Sequence, residues 1–215
     1  MKLFAISVGR PREVEWHGKS VRTSIFKTPV SRRVHVAIDN IEGDQQSDLS
    51  VHGGPEKAVY AYPAEHYDFW RRELPGEELP WGAFGENFTT EGMLEDDVWI
   101  GDRYRVGAIE LVVTQPRMPC YKLAIRFGQV EMVKRFLDSR RSGFYFAVAR
   151  EGDAGAGDVI ERLPRDQKRL TVKDVVSLYA TGSVNQSLLA SASDHPSLPA
   201  AWREHFRKRV QASEA

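Results

Sequence analysis

Short β-branched and aromatic runs, each stopped by glycine, proline or an Asp-Asn pair, dominate the first three-quarters of this chain and limit what it can fold into. Leu3 to Val8 ends at Gly9, Val34 to Ile38 ends at Asp39-Asn40, and Ala58 to Tyr62 ends at Pro63. Arg103 to Val106 and Ile109 to Val113 flank Gly107-Ala108, the signature of a tight hairpin. Gly143 to Ala149 is strongly strand-like, and Asp158 to Leu163 is expected to pair with it across Gly155-Ala-Gly157. Many short strands at such spacing predict a sandwich or a barrel, and no internal repeat interrupts them.

Two helices break the pattern. Tyr67, Trp70 and Leu74 recur at helical spacing between Ala64 and Leu74, as do Val130, Val133, Phe136 and Leu137 between Gln129 and Asp138. Both stripes read as core-facing. The last fifty residues then change character. Thr171 and Asp174 form a capping box ahead of Val172, Val175, Val176 and Tyr179, and Thr181-Gly182 closes that helix. Ser183 and Gln186 are expected to cap a second helix, and Leu198, Trp202 and Phe206 mark a third. The polar stretch from Pro164 to Lys168 separates the two regions.

Composition narrows the function. Lysine plus arginine number 30, as do aspartate plus glutamate, so no bulk field draws the chain to a nucleic-acid polymer. Apolar content of 41% is that of a globular protein, and no run approaches the roughly 18 apolar residues of a membrane span. The single cysteine cannot close an intramolecular disulfide. The N-terminus reads as a strand rather than a signal peptide, so the expected location is the cytoplasm. Cys-x-x-Cys, a P-loop and Gly-x-Gly-x-x-Gly are all missing from the sequence.

Three stretches carry candidate chemistry. A lone cysteine is ordinarily a small buried hydrophobe. The setting of Cys120 argues otherwise, because Thr114-Gln-Pro-Arg-Met-Pro-Cys120-Tyr-Lys122 follows an apolar strand and two prolines bracket Arg117. Such a segment is expected to leave the sheet as a rigid loop. Flanking cations such as Arg117 and Lys122 favour thiolate, a nucleophile and a soft metal ligand. In Asp48-Leu-Ser-Val-His52-Gly53-Gly54-Pro-Glu-Lys57, paired glycines can present N–H groups to an anion beside Lys57 and His52. A tight loop before a strand explains the glycines alone equally well. In Trp81 to Gly92, Asn87 could bind a heterocycle edge or simply stabilise a bend; Lys27 and Arg22 read as surface charge.

Taken together and in this order, Asp48 to Lys57, Phe84-Gly-Glu-Asn87, Val98-Trp-Ile-Gly-Asp102 and Gln115-Pro-Arg-Met-Pro-Cys120 resemble the MOSC family. This is the C-terminal domain type of molybdenum cofactor sulfurases. The helical tail resembles the module that follows this domain in the stand-alone bacterial, YiiM-like branch, which includes the 6-N-hydroxylaminopurine reductases. The resemblance implies a mainly β fold with helices: a MOSC-type β-barrel over residues 1–165 and a three-helix domain over 166–215. It implies a molybdenum cofactor (molybdopterin) whose metal is ligated by the Cys120 thiolate. His52, Gly53, Gly54, Lys57, Asn87, Thr114 and Arg117 are the expected cofactor contacts, and His52 is also the expected proton donor. The implied reaction converts R–NHOH to R–NH2, detoxifying mutagenic bases, with electrons from a separate flavoprotein. A homodimer fits a small barrel with appended helices. The alternative is a sulfur carrier or sulfurtransferase that uses a Cys120 persulfide.

Overall fold

The computed structural model describes residues 1–47, 53–165, 169–181 and 185–214. The strands are β1 (Lys2–Val8), β2 (Arg12–Trp16), β3 (Lys19–Thr23), β4 (Thr28–Val30), β5 (Val34–Val36), β6 (Val59–Pro63) and β7 (Phe88–Glu91). They continue with β8 (Arg103–Val106), β9 (Ile109–Pro116), β10 (Phe144–Arg150), β11 (Gly152–Ala154) and β12 (Ile160–Arg162). The helices are α1 (His66–Glu73), α2 (Tyr121–Phe127), α3 (Met132–Ser139), α4 (Val172–Thr181), α5 (Gln186–Ser193) and α6 (Ala200–Glu214).

One sheet of eight strands carries the fold, in the order β12-β8-β9-β10-β6-β7-β1-β4. Every neighbouring pair is antiparallel except β6 with β7. The mainly β class with helices is as the sequence predicts, but the barrel does not close. The two flanks meet at the single bridge Lys2–Val159 and at backbone bonds such as Leu3 N–H to the Asp158 carbonyl (2.9 Å). The physical reason is that β4 already occupies β1 from Ile6 to Val8, so only the first residues of β1 are left for the other flank.

A second correction concerns register. The segment after Gly157 pairs with β8 rather than β10, through Ile160–Val106 and Arg162–Tyr104. β11 intervenes and pairs with β5 instead. The hairpin of Arg103 to Val106 with Ile109 to Val113 forms as expected, with Gly107 at φ +59 in its turn, and β9 runs three residues further, to Pro116. In α3 the buried stripe is Met132 and Phe136, whereas Val130 precedes the helix and is 58% exposed.

The core falls into two clusters. The larger lines the sheet and runs on into the tail, taking in Val172, Val175, Val176, Leu189, Leu198 and Phe206. The tail is therefore held by the same apolar burial as the sheet, at roughly 1.5–3 kcal/mol per large side chain. The Thr171–Asp174 box is reciprocal, each backbone N–H reaching the other's side chain at 3.0 Å. The α5 cap is Asn185, whose side chain accepts from the Leu188 N–H; Ser183 and the expected 165/166 boundary fall at or against residues outside those described. The smaller cluster is aromatic and packs Tyr62, Tyr67 and Trp70 against Phe84 and Phe136.

Gly143 shows how tightly these layers meet. At φ +61, a Cβ added there would lie 2.4 Å from the Ala61 carbonyl oxygen and 2.9 Å from ring carbons of Tyr60 and Tyr62. Gly143→Ala is expected to lower stability by about 2–3 kcal/mol in urea unfolding. Wild-type stability in that variant would mean that β10 can shift away from β6 at no cost.

Candidate functional site

Strand β9 ends at Pro116, and the chain is held there by the Arg117 N–H, which donates to the Gly143 carbonyl at 3.3 Å. Only Arg117 to Cys120 form a loop; the expected longer loop is cut at both ends, because Thr114 to Pro116 belong to β9 and Tyr121 opens α2. Cys120 is extended (φ −128, ψ 174) at the cap of α2, and its carbonyl accepts from the Leu123 N–H at 2.9 Å. Pro119, which fixes φ and lacks an N–H, suits the entry to a helix. Leu123 and Phe127 anchor α2 in the aromatic cluster, and Gly128 ends it at φ +65.

Cys120 lines a groove of about 640 Å³, partly open to solvent, between the start of α2 and the strand edges. Among the described residues four cations line it, Lys27, Lys57, Arg117 and Lys122, against one carboxylate, Asp44. Tyr60, Tyr145 and Met118 supply its aromatic and thioether walls. Arg117 is only 4% exposed, and its Nη1 has no hydrogen-bond partner among the described residues. Its guanidinium lies 5.4 Å from the Tyr60 ring and 4.9 Å from that of Phe136. Burial works against this charge, yet the electrostatics of its surroundings, Tyr60 and Tyr145 first among them, keep the guanidinium protonated. Burial likewise raises the Tyr60 and Tyr145 phenols, with Arg117 partly offsetting, so both stay protonated.

Lys27 is not the surface charge its sequence context predicts. Its side chain is 8% exposed and its Nζ lies 2.5 Å from Asp44 Oδ1. Burial lowers its pKa, and the charge and hydrogen bond of Asp44 oppose that fall. Asp44 also accepts the Gly9 N–H at 2.7 Å and the Asn87 amide at 3.0 Å. Arg22 is exposed on β3, as the sequence suggests.

The other sequence candidates divide. Lys57 lies in the groove at the end of a short 3-10 turn that follows Gly54 (φ +94); Gly53 precedes that turn, and His52 lies outside the described residues. Asn87 lines the groove, but its amide hydrogens go to the Ser7 carbonyl (3.3 Å) and Asp44, and its oxygen accepts the Tyr60 N–H (3.2 Å). Thr114 stands outside the groove and donates to the Glu56 carbonyl at 2.7 Å, bracing the turn that presents Lys57. In the Phe84-Gly-Glu-Asn87 stretch, the buried Glu86 carboxylate accepts the Gly82 and Phe84 N–H groups at 2.8 and 3.1 Å and closes the bend.

This donor set fits a thiophilic metal carried by an anionic, phosphate-bearing group. One thiol lines the space, cations outnumber acids among the described lining residues, and the Nη1 of a buried arginine has no hydrogen-bond partner among the described residues. Among the described residues there is no group of three or more His, Cys, Asp or Glu able to hold a metal ion unaided. Nor, among them, is any helix long and apolar enough to cross a membrane.

Comparison with known proteins identifies the family. The MOSC domain family matches residues 48–161. The chain is 39% identical to Bacillus subtilis YflK over 207 residues, which cover 96% of this chain and 93% of YflK. It is 34% identical over 90% of its length to a Gibberella moniliformis protein named Reductase, of which it spans only 35%. The crystal structure of YiiM from Geobacillus stearothermophilus superposes with a TM-score of 0.81 at 34% identity, over 97% of this chain and 98% of that one.

Removing Asp44 should expose the cost of burying Lys27. Asp44→Asn is expected to lose about 3–5 kcal/mol in denaturant unfolding at neutral pH, partly recovered in Lys27→Met/Asp44→Asn. The pH dependence has a definite sign. Between the lowered folded value of Lys27 and its ordinary value, the unfolded chain holds the extra proton, so wild-type stability should rise with pH there relative to Lys27→Met. A flat difference would show that Lys27 is not buried in solution.

Proposed function

Given that the chain belongs to the MOSC domain family, in its stand-alone YiiM-like branch, we propose that it binds the molybdenum cofactor through Cys120 and reduces N-hydroxylated bases to amines. Bases such as 6-N-hydroxylaminopurine are the proposed substrates, and detoxification of mutagenic analogues the proposed role. The observation that carries this reading is the pairing, in one groove, of a reachable thiol with a buried arginine whose Nη1 is unspent. The fungal relative named Reductase supports an oxidoreductase over a sulfur carrier.

The cofactor, when bound, supplies the two-electron redox chemistry, in keeping with its usual division of labour with protein. Cys120 would offer the thiolate ligand to the metal of that group. Arg117 and Lys57 neutralise its anionic groups, and Lys122, held by a 2.9 Å bond to Ser47 Oγ, adds a third charge. Overall, R–NHOH takes up two electrons and two protons and yields R–NH2 and water. Lys27, kept beside Asp44 in the same groove, holds a proton where the departing hydroxyl needs one. His52, the donor expected from the sequence, would share that task. Tyr60 and Tyr145, both neutral, offer flat walls against which a purine can stack. The electrons come from a separate flavoprotein.

Molybdenum content and turnover of 6-N-hydroxylaminopurine with an artificial reductant should be measured on wild type and Cys120→Ala purified in parallel. Wild type is expected to carry the metal and turn over, and the variant to lose at least about 10³-fold in rate, as expected for loss of a group the reaction cannot proceed without. A metal-free, inactive wild type from a host that makes the cofactor would sink the proposal.

A further inference from the structure

Away from the Cys120 groove, the end of α3 faces the outer sides of α1 and α4 across a broad cleft of about 850 Å³. Four cations line it: Arg72 on α1, Arg140 and Arg141 just after α3, and Lys173 on α4. Three acids line it too, but each is engaged. Glu95 is paired with His66 at 2.7 Å and accepts the Gly143 N–H at 2.8 Å. Glu65 accepts the Gly92 N–H at 2.6 Å, and Asp96 lies 3.7 Å from Lys173. Arg72, Arg140 and Arg141 have no acidic partner among the described residues.

Arg140 is the informative residue. Its Nε is buried and has no hydrogen-bond partner among the described residues, although an arginine donor removed from water normally finds one. Its backbone sits at φ +57, ψ +11, at the helix C-cap, where glycine or asparagine is the ordinary occupant. That left-handed turn takes the chain out of α3 and leaves Arg140 and Arg141, neighbours in sequence, both on the lining of the cleft. Arg141 beside it lies 3.8 Å from the Phe69 ring, which holds its planar fork in a fixed orientation.

We propose that this cleft binds a phosphate dianion, free or as a monoester, gripped by Arg140 and Arg141 with Arg72 and Lys173 closing the charge. Arginine forks match phosphate oxygens bidentately. The cleft is larger than a bare phosphate, and Phe69 and Leu94 on its lining offer apolar contact to an organic remainder. None of these side chains lines the Cys120 groove, so the inference stands apart from the reductase reading.

Calorimetric titration of the full chain with inorganic phosphate and, separately, ribose 5-phosphate tests it, on wild type, Arg140→Gly and Arg141→Gln. Both variants are expected to bind at least about tenfold more weakly, a loss typical of one charge-assisted contact. Arg140→Gly should unfold thermally no earlier than wild type, because glycine relieves the left-handed backbone. Tighter binding of the ester would identify an organic phosphate as the ligand, and equal binding would identify free phosphate. Absence of binding of either probe at millimolar concentration, or unchanged affinity in both variants, would overturn the proposal.

Discussion

Asp44 is a carboxylate with almost no access to water that accepts three donors from three separate parts of the chain. The Gly9 N–H fixes the end of β1, Lys27 fixes the strand-less segment before β4, and Asn87 fixes the entry to β7. A buried charge of this kind is tolerable only while every partner is present. Asn87 in turn ties Asp44 to the backbone of Tyr60 and Ser7, so the wall of the groove is a closed hydrogen-bonded unit. The floor on which any ligand must sit is rigid because its polar groups already hold one another.

The contrast with Arg117 gives the groove its character. Both groups are buried, and both are charged, yet Asp44 is saturated and Arg117 is not. Two aromatic faces supply part of the compensation that hydrogen bonds would otherwise give. A buried cation with one donor unpartnered among the described residues carries a standing desolvation cost, which an anion in the groove would relieve under the proposed function. Cys120, on the same loop, lines the same groove.

What the sequence disclosed follows from range. Strands β1, β6, β8 and β10, helices α1 and α4 and the hairpin turn at Gly107-Ala108 are written in local alternation, spacing and turn residues and form where expected, whereas β9 runs past its expected end at Val113. Helix α2 was hidden behind two prolines, although Leu123 and Phe127 at i and i+4 and a capping Gly128 announce it. The pairing of β12 with β8 was illegible because the Gly155–Gly157 turn looks like a hairpin whichever strand lies beyond it. The same holds for the site. Cys120, Arg117 and Lys57 stand in unusual local contexts, whereas Lys27 and Asp44 sit 17 positions apart in plain polar stretches and become a buried pair only through the fold. Burial is a property of the long-range packing, and no window of neighbouring residues contains it.

The order Pro116-Arg117-Met118-Pro119-Cys120 can now be understood as one mechanical element. Pro116 is the last residue of β9 and still pairs with Phe144, so the strand is held to its very end. The next N–H, that of Arg117, is caught by Gly143, where only a residue without a Cβ leaves room. A proline disfavours helical backbone in the residue before it, here Met118, and Cys120 after it is extended at the helix cap. The loop has few torsions free to relax, and each of its ends is tied to a packed element. Arginine and cysteine thus reach the groove on a four-residue span tied at both ends, which is the preorganisation that a ligand of the kind proposed would require of its host.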